Sequence, residues 1–307
     1  MDLCVMIEGQ EGVSWPQWQA LADACERHGI PALFRSDHYL PLGGRLEREV
    51  HDAWATICAL AATTERLRLG TLVSPATFRH PSVLAKLAAG ADQISGGRID
   101  VGLGAGWNEA EHAAYGFPFG TMGSRMEVFA EQLEIVHGLW TSDDFSFAGE
   151  HYRLTGVDAL PKPVQRPHPR LIVGGVAKPR TVQLAARWAD EYNTVFAGPQ
   201  ECRERRAAVA AAWAAAGRDP GTLVFSLMTG CVAGRDEAEL ARRTRRLQDE
   251  HGMTPPAEWV TGTPDAAIAQ LRALRDAGVD RVMLQLLLHD ELEQIELIGT
   301  ELAPALA

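Results

Sequence analysis

Four stretches of the chain bring reactive or ligand-binding side chains together. The first is Arg35-Ser36-Asp37-His38-Tyr39. A histidine beside an aspartate can be held in one tautomer and can move a proton near neutral pH. The same residues also suit a plain turn, with Asp37 as a cap and His38 on the surface. The second stretch, Arg79-His80-Pro81, either meets an anion at the start of the helix that Pro81 opens or simply starts that helix. The third runs from Arg98 to Glu109, where Ile99, Val101 and Leu103 alternate with Asp100, Gly102 and Gly104, and Gly106 continues the second set. Glycines on one face leave the backbone bare, which suits a flat ring lying against a strand. Close packing inside a barrel asks for the same small residues, but it does not account for Asn108 and Glu109 just beyond the strand. The fourth stretch is Gly174-Gly175-Val176-Ala177-Lys178-Pro179-Arg180-Thr181. Bare amides, a helix N-terminus and two cations make an anion site, and an ordinary tight strand-to-helix turn is the alternative.

Other chemistries find no support. The glycine spacing G-x-G-x-G is not the dinucleotide fingerprint G-x-G-x-x-G, and no Walker spacing is present. The ten histidines form no HExxH or paired-ligand pattern, so no metal is expected, and no G-x-S-x-G elbow occurs. The run Arg242-Arg243-Thr244-Arg245-Arg246 is bounded by acids and is read as a solvated helix face.

All four stretches follow strands in a repeating order of elements. Leu3 to Ile7 (strand), Trp15 to Arg27 (helix), Pro31 to Phe34 (strand), Asp52 to Thr63 (helix) and Leu67 to Val73 (strand) open the series. Pro81 to Ile94 (helix) and Arg98 to Gly104 (strand) follow. A helix then starts near Ser124, where Ser124 and Glu127 have capping-box spacing and Met126, Phe129, Leu133, Val136 and Trp140 recur at helical steps. Between residues 141 and 169 the periodicity stops in a segment rich in proline, glycine and aromatics, read as an insertion over one end of the fold. Alternation resumes with Arg170 to Val173 (strand), Pro179 to Ala189 (helix), Tyr192 to Phe196 (strand) and Gln200 to Ala216 (helix). Leu223 to Val232 (strand), Asp236 to Glu250 (helix), a helix opened by Thr263-Pro264, Arg281 to Leu288 (strand) and Glu291 to Leu302 (helix) complete it. Eight strands alternating with helices imply one parallel domain over residues 1–307, a closed (β/α)8 TIM barrel in preference to an open doubly wound sheet. In such a barrel chemistry gathers on the loops after the strands' C-terminal ends.

Composition narrows the partners. With 307 residues the chain can bury a large core without a staple. Twenty-nine basic against 40 acidic residues give a net charge of -11, which argues against nucleic acid or an anionic membrane and leaves a small-molecule substrate. Five scattered cysteines without a CxxC pair, and an acid in MDLCVMIEGQ where a signal peptide needs base, point to a reduced, cytoplasmic protein.

Taken in order, these pieces resemble the bacterial luciferase-like monooxygenase superfamily and, within it, the F420-dependent (deazaflavin) oxidoreductase branch. The resemblance is carried by Ser36-Asp37-His38, Leu69-Gly70-Thr71 through Arg79-His80-Pro81, Ser95-Gly96-Gly97-Arg98, Gly102 to Asn108, Tyr115-Gly116, Gly174-Gly175 through Ala189-Asp190, Gly262-Thr263-Pro264 and Ala277-Gly278-Val279. It implies insertions at the barrel's C-terminal mouth and a flavin-type ring bound there, either FMN or coenzyme F420. It further implies that a non-proline cis peptide at Leu72-Val73 backs the ring, with Asp37, Trp107 and Asn108 beside it. Gly174, Gly175, Lys178 and Arg180 would then serve the cofactor's phosphate side. The sugar-phosphate dehydrogenase relatives carry a carboxylate where this chain has Trp107, which favours a flat or apolar substrate over glucose-6-phosphate.

The leading expectation is an F420-dependent oxidoreductase, with His38 as the acid/base and Glu8, at the mouth end of the first strand, as the second candidate. An FMN-dependent monooxygenase is the alternative, and a non-catalytic flavin-binding protein the third reading. A homodimer is expected from the resemblance.

Overall fold

The computed structural model describes residues 1–42 and 47–306. In chain order the elements are β1 (Asp2–Ile7), α1 (Trp15–Arg27), β2 (Ala32–Arg35), α2 (Ala53–Thr63), β3 (Arg68–Thr71), β4 (Ser74–Pro75), α3 (Pro81–Ser95), β5 (Ile99–Gly104), α4 (Glu109–Tyr115) and α5 (Met122–Thr141). There follow β6 (Phe145–Ala148), β7 (Arg153–Val157), β8 (Arg170–Gly174), α6 (Pro179–Trp188), β9 (Glu191–Val195), α7 (Pro199–Ala215), β10 (Val224–Ala233), α8 (Glu237–His251), β11 (Val260–Gly262), α9 (Pro264–Asp276), β12 (Arg281–Gln285) and α10 (Leu292–Leu297). Eight strands close a parallel barrel in the order β1, β2, β3, β5, β8, β9, β10, β12 and back to β1. The (β/α)8 expectation is therefore met. Among the described residues no helix is long and apolar enough to cross a membrane.

Alternation along each strand divides the core into two. Leu3, Val5 and Ile7 of β1, Val101 and Leu103 of β5, and Val282 and Leu284 of β12 face the helices. Cys4, Met6, Phe34, Ile172, Met228 and Met283 fill the barrel's interior. At the strands' N-terminal ends the interior is charged. Arg281 donates to Glu191 at 2.5 Å and lies 3.5 Å from Asp100, with both carboxylates fully buried. Arg68 closes on Asp100, and Arg170 approaches Glu191 at 3.5 Å. Burial lifts the Glu191 carboxyl above its usual range despite the Arg281 charge.

Several local expectations need correction. The cap of α5 lies three residues earlier than expected: Thr121 accepts from the Ser124 N–H, and Ser124 Oγ accepts from the Thr121 N–H. Glu127 is spent instead on Arg180, at 3.9 Å. The 141–169 segment is not irregular throughout, because β6 and β7 form an antiparallel hairpin against α5, where Glu131 accepts from the backbone of Glu150, His151 and Tyr152. Its end returns to the base of the barrel: Asp92 accepts from Val164 and Gln165, and Gln165 donates to the Ile99 carbonyl at the start of β5. Its hairpin turn, by contrast, reaches toward the mouth, where the Tyr152 ring meets His80 at the start of α3 and His151 lies 3.8 Å from Glu127; the segment carrying α4 and the described residues after β2 add to the mouth as well. The arginine run is a solvated face only in part, with Arg242 and Arg245 exposed. Arg243 is fully buried, and Arg242, Arg243 and Arg246 converge on Glu291, whose carboxyl the Arg242 hydrogen bond first of all pulls down to about 2.

Candidate active site

The barrel's mouth holds a cavity of about 900 Å³, at the upper end of ligand-binding cavities. Its floor is set by the irregular stretch between β3 and β4, where the Leu72-Val73 peptide is cis, as the resemblance implied. Val73 lies over three bare backbone positions. A Cβ on Gly102 would meet Val73 at 2.8 Å as well as the Thr71 carbonyl, one on Gly104 would meet Val73 at 2.7 Å, and one on Gly174 at 3.3 Å. The glycine face of β5 is thus filled by Val73, and a flat ligand would rest on Val73 and not on the strand itself.

His38, Glu8, Leu72, Val73, Trp107, Gly174, Gly175, Lys178 and Arg180 all line this cavity. Two expected residues do not. Asp37 is buried behind the wall, where its carboxylate accepts from Ser74 and Arg79, each at 2.6 Å. Asn108 caps α4 by accepting from the Glu111 N–H. The anion reading of Arg79-His80 also gives way. Arg79 bridges Asp37 and Asp52 and donates to the Tyr39 hydroxyl, while His80 caps α3 by accepting from Ser82.

The imidazole of His38 is oriented by a residue the sequence did not single out. Its Nδ1 lies 2.8 Å from the Glu111 carboxylate, which also accepts from the backbone N–H groups of Tyr39 and Leu40. Burial works against a charged imidazole, but the Glu111 hydrogen bond and the negative charges of Glu111, Glu8 and Asp37 outweigh it and hold His38 above its usual range. For Glu111, burial is likewise outweighed by His38 and the two backbone donors, so its carboxyl stays below the usual range. The Trp107 ring meets His38 edge-on at 5.6 Å. Glu8 accepts from Gln285 at 2.5 Å and from Gln10 at 2.8 Å, which fixes its carboxylate at the cavity wall.

Across the cavity, the chain after β8 turns through Gly174 and Gly175 to the N-terminus of α6, which Pro179 opens. Ala177 has a positive φ of 55° and donates its N–H to the Tyr192 hydroxyl at 2.8 Å, which fixes the turn. Lys178 and Arg180 stand at the outer edge, both exposed. The rim is otherwise apolar: Leu42, Trp107, Met122, Val176 and Phe196 are exposed, Trp107 by 63 %. A histidine paired with a carboxylate, a second carboxylate, an apolar floor and a cationic edge can together hold a planar anionic cofactor and a substrate of low polarity.

Comparison with known proteins points the same way. The model of the luciferase-like monooxygenase family matches residues 4–301. An FMNH(2)-dependent dimethylsulfone monooxygenase of Pseudomonas putida is 28% identical over 287 residues, covering 83% of this chain and 78% of that one. An F420-dependent glucose-6-phosphate dehydrogenase of Nocardia farcinica is 27% identical over 318 residues, covering 93% and 92%. Among solved structures, monooxygenase RslO1 from Streptomyces bottropensis superposes over the full length of both chains with a TM-score of 0.86 at 24% identity, a likeness of fold.

Proposed function

The chain belongs to the luciferase-like monooxygenase family, and from that membership we propose that it is an F420-dependent oxidoreductase moving hydride between the deazaflavin and a flat or apolar organic substrate. The observation that carries the reading is one cavity that joins the Val73 floor to the His38 imidazole on one side and to the Gly174–Arg180 turn on the other. These residues fit the coenzyme. Leu72 and Val73 would bear its ring, and the bare backbone of Gly174 and Gly175 with Lys178 and Arg180 would hold its phosphate and acidic tail. When bound, F420 supplies a carbon-centred hydride donor and acceptor in a ring that does not readily activate oxygen.

The protein's part is binding, orientation and proton supply. His38, held at Nδ1 by Glu111, has Nε2 to give a proton to the substrate or take one from it. Glu8 lies in the same wall as the second acid/base candidate. Trp107, Met122, Val176 and Phe196 exclude water from a substrate of low polarity, and none of them offers a charge to a sugar phosphate.

An FMN-dependent monooxygenase is the second reading, favoured by the Pseudomonas putida relative, whose identity to this chain is no lower than that of the F420-dependent one. Titration of the purified protein with F420 and with FMN under identical conditions separates the two. F420 is expected to bind at least tenfold more tightly, about 1.4 kcal/mol. Equal or inverted affinities would move the protein to the monooxygenase reading.

A further inference from the structure

We infer that Glu111 is the positioning residue of the site: from the first turn of α4 it fixes which nitrogen of His38 faces the ligand and pins the mouth loop that carries His38. The inference rests on the reading of His38 as the acid/base and extends it to a residue outside the cavity wall. Glu111 is fully buried, and both its oxygens are engaged, one by His38 and the other by the N–H groups of Tyr39 and Leu40. An ionised carboxylate only accepts, so the hydrogen between it and the imidazole belongs to Nδ1. Neutral His38 therefore presents a bare Nε2, ready to accept a proton, and charged His38 presents Nε2–H, ready to donate one.

The carboxylate next to His38 in sequence does not do this work. Asp37 is held by Ser74 and by the Arg79 guanidinium, which offsets its charge. The groups facing His38 are thus Glu111 from α4, Glu8 from the end of β1, and Asp37 with Arg79 behind the wall, while the Trp107 edge covers the ring. Of the three carboxylates, Glu111 is the one that touches the imidazole.

A Glu111→Gln variant keeps the shape and removes the acceptor. Its amide oxygen can still take the backbone N–H groups of Tyr39 and Leu40, but its NH2 then meets Nδ1 and forces the hydrogen onto Nε2, as happens when the carboxylate of a carboxylate–histidine pair becomes an amide. The experiment is 15N NMR of the imidazoles in cofactor-free protein, with His38 assigned by its absence in His38→Gln. Wild-type His38 is expected to be the Nδ1–H tautomer when neutral. In Glu111→Gln it should become the Nε2–H tautomer, with its titration midpoint lower by about one pH unit or more. An Nε2–H tautomer in the wild type, or an unchanged tautomer and midpoint in the variant, overturns the inference. Should Glu111→Gln fail to fold, the wild-type tautomer alone decides. The readout needs no turnover, so a His38→Gln enzyme as fast as wild type would remove the acid/base reading and leave the Glu111 result standing.

Discussion

His38→Ala is expected to lower turnover by about 10²-fold or more while the coenzyme still binds. The imidazole is half of a part-buried pair with Glu111 at 2.8 Å and lines the cavity beside Trp107 and Glu8. Alanine removes the proposed proton carrier but leaves the Val73 floor and the Gly174–Arg180 turn, which lie on other strands. The vacated Glu111 keeps the N–H groups of Tyr39 and Leu40, so the loop should stay in place. Steady-state rates at saturating coenzyme, alongside a binding titration, check this. Lost binding with intact turnover would make His38 a ring-positioning residue, and survival of both would leave it a purely structural partner of Glu111. Because the wild-type imidazole is held above its ordinary pKa, it keeps its proton past the ordinary histidine range and loses it only as pH rises through that lifted value. The rate of a proton-donating step should therefore fall on the alkaline side.

The largest effect on stability is expected at the barrel's base. Arg281→Leu should cost about 3–5 kcal/mol, because it strips a buried carboxylate of its main partner. Asp100 would keep Arg68, but Glu191 would keep only the Ser226 hydroxyl and, as its one remaining charged partner among the described residues, Arg170 at 3.5 Å. Urea unfolding at two pH values checks the cause as well as the size. Glu191 already has a folded pKa above its ordinary 4.5, so its contribution is full below that value and fades as pH rises through the lifted one. Without Arg281 that lifted value climbs further. The deficit of the variant should thus be smaller at pH 5 than at pH 8. An equal deficit at both would show that lost packing, and not an unpaired carboxylate, is responsible.

The barrel and most of its cavity were legible in the chain because they rest on local signals. Alternation placed the eight strands, and the residues just past their ends, His38, Trp107, Gly175 and Lys178, are where a strand must release its chain. What escaped depends on pairs far apart in sequence. Glu111 lies 73 residues from His38, on a seven-residue helix too short to show a period. One signal was available: Asn108 followed three residues later by Glu111 is an N-cap spacing, and it would have announced α4. It would also have moved Asn108 from the ligand to the cap. Arg243 reads as surface because its neighbours are charged, and its burial follows from Glu291, 48 residues on. Asp100, Glu191 and Arg281 meet only once the sheet has closed on itself, which no window of sequence contains.

That closed base decides more than stability. With Arg281, Glu191 and Asp100 across the bottom and Met6, Met228 and Met283 stacked above them, the vessel is shut at its base, and the cavity lies at the mouth. Traffic through a mouth has an order. A coenzyme resting on Val73, as proposed, would arrive first and depart last, and a substrate nearer Trp107 would come and go above it. A crowd of the second arriving early would bar the way to the first, so an excess of substrate should slow the enzyme, visibly, in its inhibition pattern.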